Sequence, residues 1–428
     1  MTVRVGVEEE FHVVDAESGR LVPGAGAILD RLRGSEFKNE LQRSSVEWNS
    51  QVHASLDSLQ TDLSGARRQL DATASPLGLN VVAAGTVPFA RVTSGDATAD
   101  PRYRHMVDEY RQVADEHLVC SAQVHVDVPD RDTAVRIMCG VSPSLPPLLA
   151  LSASSPFWLG ADTGYASWRT MLWQRWPTAG PVGCFADAAD YDAAIEGLIR
   201  ADVISDPGMV YYDMRPCDHQ QTLELRICDA CPRTETVVLI AGLYRALVED
   251  ARVRLERSGR VCDGRHEWLR AAVWRAAQSG LEGDLVDPVT RLAAPAPTVL
   301  RDMLRRLRPT LEAFGDWDTV RVLLEEALAR GSAAHSLREV AAEKGLLACV
   351  GTMAAETRGE RGQSPAPGAV RQPVAGAGGT PPGPRPLIRR RQSAADTHAA
   401  AQKGGPRPSP REDTTARRAQ TEKLPSVP

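Results

Sequence analysis

Apolar and polar positions alternate with period two over residues 3–13, the signature of a strand whose two faces meet different surroundings. Val3, Val5, Val7, Phe11 and Val13 share one face, and Gly6, Glu8, Glu10 and His12 share the other. Residues 36–52 read as extended, polar-flanked segments that carry Glu40 and Glu47. Leu56, Leu59, Leu63 and Leu70 then recur at near-helical spacing, and Pro76-Leu77-Gly78 ends that helix. A buried strand is predicted over 79–89, a helix over 103–117 and a strand over 119–128. In the last of these Val124, Val126 and Val128 face one way, while Gln123, His125 and Asp127 face the other. Helices are predicted over 130–139, 146–152 and 188–201, and strands return over 209–215 and 222–228. There Leu223, Leu225 and Ile227 point inward, with Glu224, Arg226 and Cys228 on the opposite face. From residue 234 to about 355 the pattern is almost entirely helical.

Strands joined by hairpins or single helices, without strict βαβ alternation, predict an α+β domain with a largely antiparallel sheet. Its apolar face packs on helices. Its other face carries Glu8, Glu10, Glu40, Glu47, His125, Glu224 and Arg226. A charged strand in water explains Glu8 and Glu10 on their own. Carboxylates recurring in four separate segments suggest more, a basin for several divalent ions. Adjacent carboxylates on a strand face repel, and a hard cation such as Mg²⁺ between them removes the penalty. Such a set serves metal-dependent hydrolysis as well as phosphoryl transfer. Arg226 beside Glu224, with Arg169 and Arg175 in the segment 168–176, favours phosphate handling. The alternative for these arginines is a surface ion pair, and for His125 a hydrogen-bonded structural role.

Composition separates the last part of the chain from the rest. Residues 356–428 hold 12 of the 30 prolines and 9 of the 34 glycines, with almost no aliphatic periodicity, so they cannot bury enough surface to offset their ordering entropy. The expected organisation is a catalytic domain over 1–355 and a disordered tail over 356–428. The tail has 13 basic and 6 acidic residues; the remainder then carries a net charge of −12, which argues against nucleic acid as its main partner. Arg389-Arg390-Arg391 could touch an anionic surface, but reads as a solvated run. Residues 1–13 show no basic segment followed by an apolar one, and no membrane span is expected, so a cytoplasmic address is anticipated. The eight cysteines are scattered and expected to be reduced; Cys228 and Cys231 have CxxC spacing, but no second pair lies at zinc-ribbon distance.

Several stretches, in order, carry a family resemblance: Gly6-Val7-Glu8-Glu9-Glu10-Phe11, Val124-His125-Val126 followed by Pro129-Asp130-Arg131, and Ser155-Pro156-Phe157-Trp158. Tyr165-Ala166-Ser167-Trp168-Arg169, Arg175-Trp176-Pro177-Thr178-Ala179-Gly180-Pro181, Asp213-Met214-Arg215-Pro216 and Thr222-Leu223-Glu224-Leu225-Arg226 complete the set. The chain resembles the bacterial YbdK-type carboxylate–amine ligases, the glutamate–cysteine ligase type 2 family. The resemblance implies a glutamine-synthetase-like fold, whose antiparallel sheet forms a funnel for ATP, Mg²⁺ and an amino acid. It implies ATP-dependent joining of the glutamate γ-carboxylate to the cysteine amine through an acyl phosphate. It also implies two or more Mg²⁺ ions, with Mn²⁺ as a substitute, held by Glu8, Glu10, Glu47 and Glu224, with Glu40 ranked lower. Arg226 and Arg169 take catalytic roles, and Arg175, His125 and Gln123 bind substrate or phosphate. Only small-molecule partners are implied; a homo-oligomer is open. The chain departs from the family pattern at Gln123, at Asp127 (expected close to the phosphates), at Val87 in Gly85-Thr86-Val87-Pro88, and at Ser154. These departures leave open another acceptor amine, or a degenerate relative that binds without turnover.

Overall fold

The structure, a computed structural model, describes residues 3–360 apart from 33, 94, 260, 263 and 265. The opening alternation becomes the central strand β1 (Val5–Asp15). Around it lie β2 (Phe37–Asn39), β3 (Ser45–Asn49), β4 (Leu79–Val82) and β5 (Ala122–Asp127). A short hairpin, β6 (Phe157–Trp158) and β7 (Ala161–Asp162), stands apart, and β8 (Met214–Pro216) and β9 (Thr222–Leu225) complete the main sheet. The order is β2-β3-β1-β5-β9-β8, with β4 pairing the far end of β1, and every pairing is antiparallel. The expected α+β class with a largely antiparallel sheet is what the chain forms.

The apolar face of the sheet rests on the helices Leu56–Ala74, Arg131–Val141 and Thr234–Ser258. The first is capped by Ser55, whose hydroxyl accepts from Ser58 N, and turns off through a short 3₁₀ segment to Gly78 at φ 71°. The apolar stretch Arg131–Ser152 is long enough to cross a membrane, yet it is largely buried inside this fold as a core segment. The helical C-terminal part is interrupted by a small hairpin, Asp284–Val286 with Ala293–Pro295. Its last helix, Leu346–Thr357, runs past the boundary expected at 355: Arg233 pairs with Glu356, and buried Thr357 accepts from Ala83 N at 3.0 Å. From residue 361 on, the expected tail lies outside the described residues.

Other elements are shorter than the periodicity predicts. The strand expected over 79–89 stops at Val82, because residues 83–88 are buried without alternation and bond to the neighbouring loop, Gly85 N to Ser154 Oγ and Thr86 Oγ1 to Phe157 O. The helix expected over 103–117 forms as Pro101–Tyr110 and Gln112–Asp115, broken where Arg111 takes φ 50°. The strand expected over 209–215 is reduced to β8, preceded by the 3₁₀ turn Pro207–Met209.

Glu9 follows from the alternation of β1. Its neighbours Glu8 and Glu10 are partly exposed, whereas Glu9 points to the apolar side and is fully buried. Arg67, on the buried face of Leu56–Ala74, meets it with two hydrogen bonds of 2.5 and 3.1 Å. The same guanidinium donates to the carbonyls of Pro232 (2.6 Å) and Cys231 (2.8 Å), just ahead of the long helix Thr234–Ser258. One side chain thus joins the central strand and two helices. Replacing Arg67 by Met leaves a buried carboxylate and two carbonyls unpaired, and is expected to cost about 3–5 kcal/mol in urea unfolding. The double variant Glu9→Gln, Arg67→Met should lose less than Arg67→Met alone. Equal losses would show that the ion pair is not what couples these elements.

Candidate active site

The antiparallel register lays the polar side chains in rows across the sheet. Glu10 of β1 stands opposite Glu47 of β3, Glu8 opposite Gln123 of β5, and His125 of β5 opposite Glu224 of β9, which in turn faces Arg215 of β8. The five expected metal carboxylates come together here, but as two groups rather than one.

The first group is Glu10, Glu40 and Glu47, whose nearest oxygens lie within 4.8 Å of one another. Glu40 reaches it from the loop between β2 and β3. Glu10 accepts from Ser121 N at 2.7 Å and from the Gln123 amide at 3.1 Å; Glu47 accepts from Asn49 at 2.7 Å. Lys38 is the one cation near Glu47 among the described pairs, at 3.9 Å and largely exposed. Burial, followed by repulsion from Glu47 and Glu10, holds the Glu40 carboxyl well above its ordinary range. Glu10 and Glu47 are raised as well, chiefly by burial. Three oxygen donors that repel one another in a partly buried pocket fit a small hard cation such as Mg²⁺ or Mn²⁺.

The second group is Glu8, His125 and Glu224. Glu224 is 2% exposed and lies between two guanidiniums, Arg226 and Arg215, the latter at 2.8 Å. Burial alone would raise its carboxyl, but Arg226, Arg215 and His125 together hold it down at about 2. His125 donates or accepts at Thr222 Oγ1 (3.0 Å), and its Nε2 lies 3.4 Å from Glu8. Burial opposes its protonation, yet Cys217, Glu8 and Glu224 push it up to about 10. The nearest ligand atoms of these three side chains lie within 4.8 Å of one another, as in the first group, but here two guanidiniums already engage Glu224. This half of the site is balanced by the protein's own cations, Arg215 and Arg226 at Glu224.

Gln123 bridges the two halves. Its amide donates to Glu10 and its carbonyl accepts from Arg226 at 2.7 Å. Arg226 is largely but not fully buried, its side chain 11% exposed, and its Nε has no hydrogen-bond partner among the described residues. Its guanidinium also lies 5.7 Å from the Trp173 ring centre. A largely desolvated cation with an unused donor beside a carboxylate pocket is suited to an oxyanion.

The other two expected arginines stand elsewhere. Arg169 is 2% exposed and donates to the carbonyls of Arg226 (3.1 Å) and Ile227 (3.0 Å). It positions the chain that carries Arg226 instead of offering its fork to a substrate. Arg175 pairs with Glu116 and with Leu172 O. Asp127, expected near the phosphates, accepts from Arg4 at 2.6 Å, and Val87 is fully buried in an apolar cluster with Val14, Val82 and Met353. Cys228 and Cys231 are buried; burial pushes the Cys228 thiol up to about 12 and holds the Cys231 thiol well above its ordinary value, so this CxxC has no reactive thiolate. What the CDAC stretch contributes is Asp229, a buried carboxylate accepting from Ser154 N (3.0 Å), Ser155 Oγ (2.7 Å) and Ser167 Oγ (2.7 Å). Neither Asp229 nor Arg215 is singled out by sequence reasoning as a site residue. Arg215 was visible as the residue that antiparallel pairing sets opposite Glu224.

The repulsion within the first group gives a measurable expectation. Glu40→Gln removes a disfavoured charge, so its melting temperature without added metal should equal or exceed the parent's. Millimolar Mg²⁺ should raise the parent's melting temperature, by about 2.7 kcal/mol of stability at a hundredfold excess over Kd, and this rise should be lost in Glu40→Gln and Glu47→Gln. No Mg²⁺ or Mn²⁺ effect on the parent would remove the cation assignment.

A model of glutamate–cysteine ligase family 2 matches residues 4–360. A Frankia casuarinae protein, provisionally named glutamate–cysteine ligase 2-2, is 53% identical over 357 residues, covering 83% of this chain and 42% of the relative. A Mycolicibacterium smegmatis protein with the same provisional name is 47% identical over 355 residues, covering 82% of this chain and 89% of the relative. The chain spans less than half the length of two of the Frankia relatives it matches, 42% of each. Among solved structures, a bifunctional glutathione synthetase from Pasteurella multocida superposes with a TM-score of 0.64 at 14% identity, covering 84% of this chain and 52% of that one. A glutamate–cysteine ligase from Francisella tularensis gives 0.63 at 10% identity, covering 86% and 90%. These two show a shared fold, the one the family resemblance implied. With the match running almost from the start of β1 to the end of the last described helix, the chain belongs to glutamate–cysteine ligase family 2.

Proposed function

We propose that the basin joins a carboxylate to an amine at the expense of ATP, with glutamate and cysteine as the substrates and γ-glutamylcysteine, ADP and phosphate as the products. The observation that carries this reading is the placement of a repelling carboxylate trio, Glu10, Glu40 and Glu47, next to a largely buried guanidinium, Arg226, with Gln123 bonded to both. A cation pocket and an anion pocket side by side are what a transferring phosphoryl group needs. The Francisella tularensis ligase of the same fold was solved in complex with AMP, which supports a nucleotide in this one.

Mg²⁺ held by Glu10, Glu40 and Glu47 would neutralise the phosphate oxygens of ATP. The chain's own groups do the rest. Arg226 donates to the γ-phosphoryl oxygens as the glutamate γ-carboxylate attacks phosphorus and the bond to ADP breaks. Glu224 and Gln123 hold that guanidinium in place, and Arg215 anchors Glu224 from the other side, itself tied to Val210 O (2.8 Å) and Gly208 O (3.2 Å). The cysteine amine then adds to the acyl carbon, phosphate leaves, and the amine loses a proton. Arg169 contributes by fixing the backbone on which Arg226 stands.

The test is phosphate release from ATP with Mg²⁺ and glutamate, with and without cysteine, with mass detection of the product. Cysteine-dependent release with the mass of γ-glutamylcysteine is expected, and Arg226→Met should lower kcat by about 10²–10³ with a smaller change in KM. Release without that product across an amino-acid panel would identify another acceptor amine. ATP binding without release would make the chain a binding relative and overturn the ligase reading.

A further inference from the structure

Outside the carboxylate basin, three cysteines and a histidine converge. Cys139 ends the helix Arg131–Val141, Cys184 sits on the loop ahead of the helix Ala188–Arg200, and Cys262 and His266 follow the long helix Thr234–Ser258. Their ligand atoms all lie within 4.8 Å of one another. Cys139 is placed as the bonding partner of both Cys184 and Cys262, although a cysteine sulfur can bond only one other sulfur. The two pairings cannot hold together: a single disulfide here would leave the third thiol over. The three sulfurs are gathered on one point.

The fourth group makes the point chemically specific. His266 Nε2 lies 3.4 Å from Cys139 Sγ and 3.5 Å from Cys184 Sγ, and Cys184 Sγ lies 3.4 Å from Cys262 Sγ. Tetrahedral zinc, with Zn–S about 2.3 Å and Zn–N about 2.0–2.1 Å, sets S···N edges near 3.5 Å and S···S edges near 3.8 Å. The two His266 distances and the Cys184–Cys262 distance are close to these. Cys139 Sγ lies nearer to both other sulfurs than an edge and would have to draw back to make room for the ion. The other ring nitrogen, Nδ1, lies 3.3 Å from Val182 O, an arrangement that leaves Nε2 as the ligating atom. Thiolates and one imidazole in a tetrahedral set select zinc over the hard cation suited to the basin.

We propose that Cys139, Cys184, Cys262 and His266 bind one structural Zn²⁺ ion. Four protein ligands close the coordination shell, so the ion carries no open position and holds the chain instead of reacting. It staples Cys184 on its loop, and Cys262 and His266, to the end of the helix Arg131–Val141. The contact next to Cys262 is already close: a Cβ on Gly140 would lie 2.8 Å from the Val261 Cβ. The stapled loop begins at Gly180, whose carbonyl accepts from Asp213 N at 2.9 Å as the chain enters β8. Zinc thus steadies the approach to Arg215 without touching the basin.

The experiment is metal analysis of the full chain, produced with zinc in the medium and purified without chelator. About one zinc per chain is expected in the parent and in the control Cys228→Ser, whose thiol lies outside the cluster. Cys139→Ser and Cys184→Ser should lose it, while His266→Cys, which offers a fourth thiolate, should keep it. Because the serine variants could misfold, the parent is also exchanged with Co²⁺. Thiolate-to-cobalt charge-transfer bands with intense tetrahedral visible bands support the site. Parent protein without zinc, and with a mass lower by two hydrogens from a disulfide among these cysteines, overturns it. So does another metal at the same ligands, or zinc retained in both serine variants. None of these readouts depends on ligase activity, so the site stands or falls apart from the proposed reaction.

Discussion

The buried ion pair between Glu9 and Arg67 is the constraint on which the arrangement of the site depends. A strand has two faces, and three consecutive glutamates cannot all stay in the open. Glu8 and Glu10 reach the basin only because Glu9 is taken into the core, where an unpaired carboxylate would be prohibitive. Arg67 accepts that charge at 2.5 Å and satisfies the carbonyls of Cys231 and Pro232 with the rest of its fork. A slip of one residue in the register of β1 would expose Val5 and Val7 and bury Glu8 and Glu10 without a partner. The pair therefore sets which face of the sheet is chemical.

On that face, charge is divided unevenly. Glu224 is saturated by Arg215, Arg226 and His125, and its carboxyl sits at about 2. Glu10, Glu40 and Glu47 form no such close ion pairs, and burial, with repulsion from neighbouring carboxylates, raises all three, although the more distant Arg169 charge offsets part of the rise at Glu10. The first arrangement fixes the shape of the anion side; the second leaves a deficit of positive charge that a ligand cation can fill. Gln123 couples the two, so a cation at Glu10 and an anion at Arg226 are felt through one amide. Buried networks behind the face hold it rigid. Arg169 ties down the carbonyls of Arg226 and Ile227, and Asp229 gathers Ser154, Ser155 and Ser167.

The departures from the family pattern look different in three dimensions. Val87 packs in the core, Ser154 Oγ accepts from Gly85 N at 2.8 Å, and Asp127 is engaged by Arg4 at the strand end. Of the four, only Gln123 stands within the basin, and there it forms hydrogen bonds to both neighbours. The pocket chemistry is altered less than the substitutions read in isolation suggest.

The sequence by itself determined the α+β class, the alternation of β1 and β9, and the carboxylates that gather on one face, because period-two patterning reports directly which side chains share a surface. It also contained unread signals. Glu9 falls on the valine face of β1, and Arg67 falls between Leu63 and Leu70 on a buried helix face, which together call for an ion pair. Only the tertiary structure decided that the carboxylates form two groups, that Glu40 joins Glu10 and Glu47 from a loop, and that Arg169 and Arg175 are held by carbonyls and Glu116. Loop geometry and the partner of a long side chain depend on contacts between segments far apart in sequence, which no local period encodes. The cluster of Cys139, Cys184, Cys262 and His266 is the extreme case: Cys184, Cys262 and His266 lie 45, 123 and 127 residues after Cys139, and only the packing of segments far apart in sequence brings them to a single point.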